Sequence, residues 1–181
     1  MAGLDRIRCR LIPQARGRVL EIGVGTGLNL PHYGELEELV GIEPDPHMRR
    51  RAERRAAELS LRIEIVDASA EDLPFETDHF DTVVATWVLC TIPDAQAAAR
   101  EMRRVLKPEG LLIFAEHTAS VHRPLRAVQD AINPVWKRFA GGCNLNRDGL
   151  GILREAGFEL DVREPRRIWT TIVPQYRGTG R

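Results

Sequence analysis

The chain is poor in cysteine, poor in aromatic residues and without net charge. Its three cysteines, Cys9, Cys90 and Cys143, are widely spaced and form no CxxC pair. That pattern argues against a disulfide framework and fits a reducing compartment. Close cysteine pairs and histidines at ligand spacing are missing too, so no metal is expected, and Cys90 and Cys143 read as small packing residues. Lysine plus arginine number 26, as do aspartate plus glutamate, which gives no case for a nucleic-acid partner. No segment approaches the roughly 20 apolar residues of a membrane span. No apolar run of signal-peptide type accompanies the early Asp5 and Arg6. The expectation is a soluble, cytoplasmic protein without an integral membrane segment.

What the chain does contain is ordinary for a globular domain: 181 residues, 43% hydrophobic and 29% charged. That length supports one domain, 1–181, with a substantial core. Arginines 49, 50, 51, 54 and 55 crowd one segment, with Glu53 and Glu58 interleaved. The spacing reads as a solvated helix face carrying ion pairs, a patch for anionic lipid or substrate being the alternative.

Strand-like runs alternate with helical patterns, which predicts an α/β fold with a mostly parallel sheet and helices on both faces. A lead-in helix is expected over residues 3–15. Strands are expected at 18–22, 39–43, 61–66, 81–86 and 111–115, with late strands at 158–163 and near 168–173. Helices should follow the glycine-rich turn near Leu28, begin at Pro46, cover 95–106 and cover 147–156. Residues 117–147 fit no strand–helix repeat and read as an inserted helix and loop, the natural place for a substrate lid.

Gly23, Gly25 and Gly27 lie just past the first strand. Such a turn lets a ligand approach the backbone closely and aims N–H groups at it. The spacing is GxGxG rather than GxGxxG, and Glu21 precedes it. A carboxylate there suits a ligand bearing an ammonium or sulfonium better than a pyrophosphate. Glu43 closes the second strand, about 20 residues beyond Gly23, where an acid can accept the hydroxyl hydrogens of an adenosine ribose. Asp45 reads instead as the N-cap of the helix after Pro46. Glu116 and His117 come directly after the run 111–115, so they should face the crevice beyond the strand ends. They are the catalytic candidates, His117 as a base because its titration lies near neutrality.

Four motifs in order carry a resemblance: Leu20-Glu21-Ile22-Gly23-Val24-Gly25-Thr26-Gly27, Gly41-Ile42-Glu43-Pro44, Ser69-Ala70-Glu71-Asp72-Leu73-Pro74-Phe75, and Phe80-Asp81-Thr82-Val83-Val84 with Arg104-Val105-Leu106-Lys107-Pro108-Glu109-Gly110 downstream. Over residues 15–115 the chain resembles class I S-adenosylmethionine-dependent methyltransferases, with their Rossmann-like fold. The resemblance implies that Glu21, Gly23 and Gly25 hold the methionine part of S-adenosyl-L-methionine, and Glu43 the ribose. Pro44, Ser69 and Ala70 would flank the adenine, with Asp67 as an alternative acidic partner, and Thr86 would lie beside the methionine moiety. Asp81 is expected to position a strand or loop.

Shorter segments narrow the resemblance. Trp87-Val88-Leu89-Cys90-Thr91-Ile92, Phe114-Ala115-Glu116-His117, Pro134-Val135-Trp136-Lys137 and Gly141-Gly142-Cys143-Asn144-Leu145-Asn146-Arg147 are similar to a branch of alkyl-thiol S-methyltransferases and small bacterial relatives. The N-terminal hydrophobic anchor of the mammalian members has no counterpart here, so membrane attachment is not carried over; peripheral lipid contact is left open by the phospholipid alternative. The acceptor implied is a small apolar thiol. A phospholipid amine, or an oxygen or nitrogen of a metabolite, is the alternative, and a nicotinamide-dependent oxidoreductase is the reading from another class. Trp87, Trp136, Phe139 and Trp169 could wall an apolar pocket, though their irregular spacing suits core positions as well.

Overall fold

The computed structural model describes residues 2–120, 122–163 and 175–180. Helix α1 (Ala2–Leu11) and a short 3-10 turn (Ile12–Gln14) lead into β1 (Arg18–Ile22). Then come β2 (Glu38–Ile42), α2 (Pro46–Glu58), β3 (Glu64–Val66), β4 (Phe80–Thr86), α3 (Ala95–Val105), β5 (Leu106–His117), α4 (Arg123–Phe139), α5 (Gly149–Glu155), β6 (Leu160–Arg163) and β7 (Gln175–Gly180).

The strands form one sheet in the order β3-β2-β1-β4-β5-β7-β6. The first five are parallel, and β7 runs antiparallel to both β5 and β6. Strand order therefore reverses between β1 and β4, and in an open sheet a crevice opens beyond the carboxyl ends there.

Both faces of the sheet are covered, as a parallel sheet requires. Successive side chains alternate between the faces. Leu20, Ile22, Val40, Ile42, Val83, Ala85, Leu112 and Phe114 join one buried cluster with α3 and α5. Val19, Leu39, Val84, Ile113 and Ala115 join the other, with α1 and α2. Asp94 caps α3 by accepting from the Ala97 N–H at 2.9 Å, and Ala98, Ala99, Met102 and Val105 bury its inner face.

Several expectations change. Hydrogen-bonded turns, with one 3-10 turn at Leu30–His32, replace the helix expected after the glycine-rich turn. Gly25 and Gly27 are left-handed, and Pro31 cannot donate to a continuing helix. Only Glu64–Val66 of the third predicted strand finds a partner along β2. β5 starts at Leu106, earlier than expected, because a register shift between Phe80 and Thr82 accommodates Lys107-Pro108-Glu109-Gly110. The strand expected near 168–173 lies outside the described residues, and Gln175–Gly180 forms a strand that the sequence pattern does not announce. The segment 117–147, expected as an insertion, contains α4 and the turns after it.

Candidate active site

Three strand ends build one side of the crevice. β1 delivers the turn Gly23–Gly27, where all three glycines have positive φ: 65°, 60° and 76°. The turn is anchored by the Val24 N–H on the Ile42 carbonyl (3.0 Å) and the Gly27 N–H on the Val24 carbonyl (3.0 Å). A Cβ on Gly23 would come within 2.5 Å of Val88 Cγ2, so this residue packs against the loop after β4. A Cβ on Gly25 would meet nothing nearer than the Gly23 carbonyl oxygen at 3.9 Å. That open side is where a ligand has access to backbone.

Glu43 stands just past β2 and is largely buried. Its Oε2 accepts from the Gly25 N–H at 2.8 Å and its Oε1 from the Asp45 N–H at 3.0 Å. Each carboxylate oxygen keeps a second lone pair, so capacity remains for two ribose hydroxyls. Arg49 holds the Glu43 carbonyl at 2.7 Å and pairs with Asp67 at 3.0 Å, which commits Asp67 to α2. Asp45 caps α2 through the His47 and Met48 N–H groups at 2.7 and 3.1 Å. The other arginines of α2 are mostly exposed, in keeping with a solvated face. Ser69 donates to Glu71, and Ala70 beside it is buried.

Glu21 faces inward and is buried. It accepts from Asn29 Nδ2 at 2.9 Å and from the Tyr33 hydroxyl at 2.8 Å. Burial pushes its carboxyl up to about 7, and those two hydrogen bonds only partly oppose the rise. Asn29 Nδ2 also donates to Thr86 Oγ1 at 2.9 Å, while Arg8 Nε donates to Asn29 Oδ1 at 3.1 Å. The Arg8 guanidinium lies 4.6 Å above the Trp87 ring. Asn29 thus ties the ends of β1 and β4 together, and no local pattern in the sequence marks it. Asp81 positions strands as expected, accepting from the Arg18 N–H at 2.9 Å and Lys107 Nζ at 2.6 Å.

The other side of the crevice is built by β4, β5 and the turns after α4. Trp87, at φ 52°, carries the chain out of β4 with its N–H on the Ala115 carbonyl at 2.7 Å. Glu116 is buried, and its Oε1 accepts from the Val88 and Leu89 N–H groups at 2.8 and 3.0 Å. Its Oε2 is buried without a hydrogen-bond partner among the described residues, and burial pushes this carboxyl up to about 7. Glu116 therefore shapes the loop after β4.

His117 Nε2 lies 3.2 Å from Cys143 Sγ. Burial alone would lower this imidazole, but the hydrogen bond and charge of Cys143 raise it on balance. The structure also brings Cys90 to the same corner: one ligand atom from each of Cys90, His117 and Cys143 falls within 4.8 Å of the other two. The expectation of two packing cysteines, with no group able to hold a metal, does not anticipate this geometry. Positions 90, 117 and 143 are far apart along the chain, and only the adjacency of β4, β5 and α4 unites them.

Further polar residues fix this corner. The Asn144 N–H and Nδ2 both donate to the Cys90 carbonyl, at 2.8 and 2.9 Å. Arg147 reaches the carbonyls of Leu89 and Ile92. Gln129, fully buried on α4, accepts from the Ser120 N–H at 2.7 Å and donates to the Leu145 carbonyl at 3.1 Å. Of the aromatic candidates, Trp87 is half-buried, Trp136 and Phe139 are exposed on α4, and Trp169 lies outside the described residues.

The open turn, a buried acid with free lone pairs at the end of β2, and Thr86 at the end of β4 fit an adenosine-bearing cofactor. Comparisons with known proteins agree. A family model described as a methyltransferase domain matches residues 20–114. A thiol S-methyltransferase of Homo sapiens, TMT1B, is 33% identical over 173 residues, which cover 91% of this chain and 71% of the relative. A phosphatidylethanolamine N-methyltransferase of Cereibacter sphaeroides is 37% identical over 118 residues, 64% of this chain and 58% of the relative.

Among solved structures, the cyclase SpnF matches with a TM-score of 0.74 at 20% identity, covering 99% of this chain and 80% of that one. An S-adenosylmethionine-dependent methyltransferase from Thermotoga maritima matches with a TM-score of 0.70 at 23% identity, covering 98% and 88%. These two likenesses establish the Rossmann-like fold, and the cyclase illustrates that the fold hosts more than one chemistry. The domain match and the alignment to the human enzyme go further than the fold: the chain belongs to the methyltransferase-domain family.

Proposed function

We propose that this enzyme transfers the methyl group of S-adenosyl-L-methionine to a small apolar thiol. The cofactor reading rests on the turn at Gly23–Gly27 opening beside Glu43 at the switch point of the sheet. In this reading Gly23 and Gly25 offer backbone to the methionine part, with Thr86 beside it, and Glu21 sets the charge below it. Glu43 takes the ribose, and Pro44, Ser69 and Ala70 flank the adenine. The cofactor, when bound, supplies a methyl on a positively charged sulfur with its leaving group built in.

The protein's own task is then placement. An in-line displacement needs the acceptor about 3–3.5 Å from the methyl carbon. A thiol needs little more, because its thiolate is intrinsically nucleophilic and already a few per cent populated near neutrality. His117 is the proposed proton acceptor, sharing the proton with Cys143 across their 3.2 Å contact. Glu116 is a positioning residue that holds the Val88 and Leu89 amides. The thiol assignment is supported by the relatedness to the human thiol methyltransferase, which extends over 91% of the chain.

A phospholipid amine is the second reading. It is favoured by the match to the phosphatidylethanolamine enzyme and by the exposed Val128, Ile132, Val135 and Phe139, which recur along one side of α4. A screen of thiols, phenols, amines and phosphatidylethanolamine vesicles with methyl-labelled cofactor separates the two. Label on a thiol is the expected outcome. Label confined to lipid amine overturns the thiol assignment and leaves methyl transfer standing.

A further inference from the structure

The corner formed by Cys90, His117 and Cys143 has a chemistry that methyl transfer to a thiol does not itself require. We propose that these three residues form a binding site for a thiophilic divalent cation of the zinc class, one protein ligand short of a tetrahedron.

The donor set comes first. Two cysteine sulfurs and an imidazole nitrogen are the ligands that zinc-class ions prefer over carboxylate and water. Three protein ligands with the fourth position left over is the arrangement of a site that binds an exogenous group, in contrast to a closed structural site.

Distances agree. Zinc–sulfur bonds of about 2.3 Å and zinc–nitrogen bonds of about 2.0–2.1 Å place tetrahedral donor atoms roughly 3.5–3.8 Å apart. The His117 Nε2 to Cys143 Sγ separation is 3.2 Å, and all three donors lie within 4.8 Å of one another. Small adjustments of the side-chain torsions, within their rotamer wells, bring them to that spacing.

The donors are also held in place before any ion arrives. The Cys90 backbone is fixed by two hydrogen bonds from Asn144, and the loop carrying it by the two amides on Glu116. His117 is the last residue of β5, and the Cys143 N–H is bonded to the Ala140 carbonyl at 3.1 Å.

An independent observation points to a cation. Glu116 is 1% exposed, yet among the described residues its Oε2 has no hydrogen-bond partner. A buried acid oxygen next along the chain from His117 is a group that a cation in this corner would satisfy, directly or through a ligand water.

The site does not depend on the identity of the methyl acceptor. Where that acceptor is a thiol, the fourth position is where its sulfur would be held as thiolate, and the ion takes over the proton-accepting part given to His117. The balance is simple: each sulfur that binds the ion loses its proton to solvent and no electrons are transferred.

Cadmium and zinc are the probes, used under a non-chelating phosphine reductant. The parent protein carries Cys9→Ser, because Cys9 is an exposed thiol that would bind cadmium by itself. The parent is expected to take up one cadmium ion with ultraviolet sulfur-to-cadmium absorption, and excess zinc should compete for the same site. Cys90→Ser and Cys143→Ser should each weaken binding by roughly a hundredfold or more, since even outer-shell partners of metal ligands carry ten- to hundredfold effects. Cofactor binding by calorimetry checks that these variants are folded. X-ray absorption of the zinc-loaded parent, which needs no further variant, should show two sulfurs at about 2.3 Å and nitrogen or oxygen at about 2.0 Å. A parent that binds no stoichiometric cadmium, a zinc shell without sulfur, or binding undiminished in both cysteine variants overturns the proposal. The thiol assignment stands or falls separately, on the labelled-methyl screen.

Discussion

Glu21 sits in an environment far from that of a free side chain. It is 2% exposed and titrates near 7 instead of in the ordinary carboxyl range. A carboxyl raised by folding contributes stability that is fully present below its unfolded value of about 4.5. That contribution is lost as pH rises through about 7. The linkage is worth on the order of 3 kcal/mol across that window. Urea denaturation of wild type should therefore lose stability from pH 5 to pH 8 relative to Glu21→Gln, which keeps the shape and cannot ionise. Parallel profiles for the two proteins would remove Glu21 as the responsible group.

Glu43 makes a second prediction at this scale. Glu43→Ala should weaken S-adenosylmethionine binding by at least tenfold in calorimetry, the effect of about 1.4 kcal/mol lost at the ribose. Unchanged affinity would take Glu43 out of that role. Both acids were legible in the sequence because each sits at a fixed offset from the glycine turn along a strand. Asn29 and Tyr33, which hold Glu21, were not: their contact arises from how the chain wraps between Leu28 and Tyr33, where a helix was expected.

Among the elements, the glycine turn and the turns after α4 differ in what holds them. Gly23 is pressed against Val88, whereas Gly25 faces open space. Both are left-handed, a conformation that costs a substituted alanine about 1–2 kcal/mol. Gly23→Ala should thus lower the melting temperature well beyond Gly25→Ala, because only the former adds a clash. Gly25→Ala should show its main effect on cofactor affinity. Equal melting temperatures would mean that Val88 moves aside at no cost.

The segment after α4 depends on side-chain amides in place of regular pairing. Removing the Gln129 amide by Gln129→Leu leaves the Ser120 N–H and the Leu145 carbonyl without their partners. That should cost about 2–6 kcal/mol in denaturation at roughly 1–3 kcal/mol per stranded group. No measurable change would mean that water replaces the amide. Failing periodicity marked this stretch of the sequence as an inserted helix and loop, but its polar pairings could not be read from it. The side-chain partners of Gln129 and Arg147, and the Cys90 partner of Asn144, lie 9 to 58 residues away in sequence, so no local reading could pair them.

For the whole molecule, the alternation of strands and helices announced the parallel sheet and its two covered faces. Binding of the cofactor to the folded state alone should stabilise it by about 2.7 kcal/mol at one hundred times its dissociation constant. For a domain of this size that amounts to a melting increase of roughly 5–10 °C. S-Adenosylmethionine should produce that shift in a thermal scan and NAD should not; the reverse would return the oxidoreductase reading. The Cys90–His117–Cys143 corner, by contrast, exists only at this scale. Its members come from the loop after β4, the end of β5 and the turns after α4, and neighbourhood in space alone makes them a group.

The placement of β7 has a consequence for the order in which the molecule can be made. Gln175–Gly180 lies between β5 and β6, with Gln175 opposite His117 and Gly180 opposite both Leu112 and Leu160. While the chain is being synthesised, the outer hydrogen-bonding edge of Leu112–His117 has no neighbour until residues 175–180 have left the ribosome. The strand pairing of β1 to β4, beside Gly23 and Glu43, is complete once β5 has emerged, whereas the His117 side waits for β7. An interrupted chain that ends before residue 175 would present an apolar strand edge ready to pair with another copy of itself.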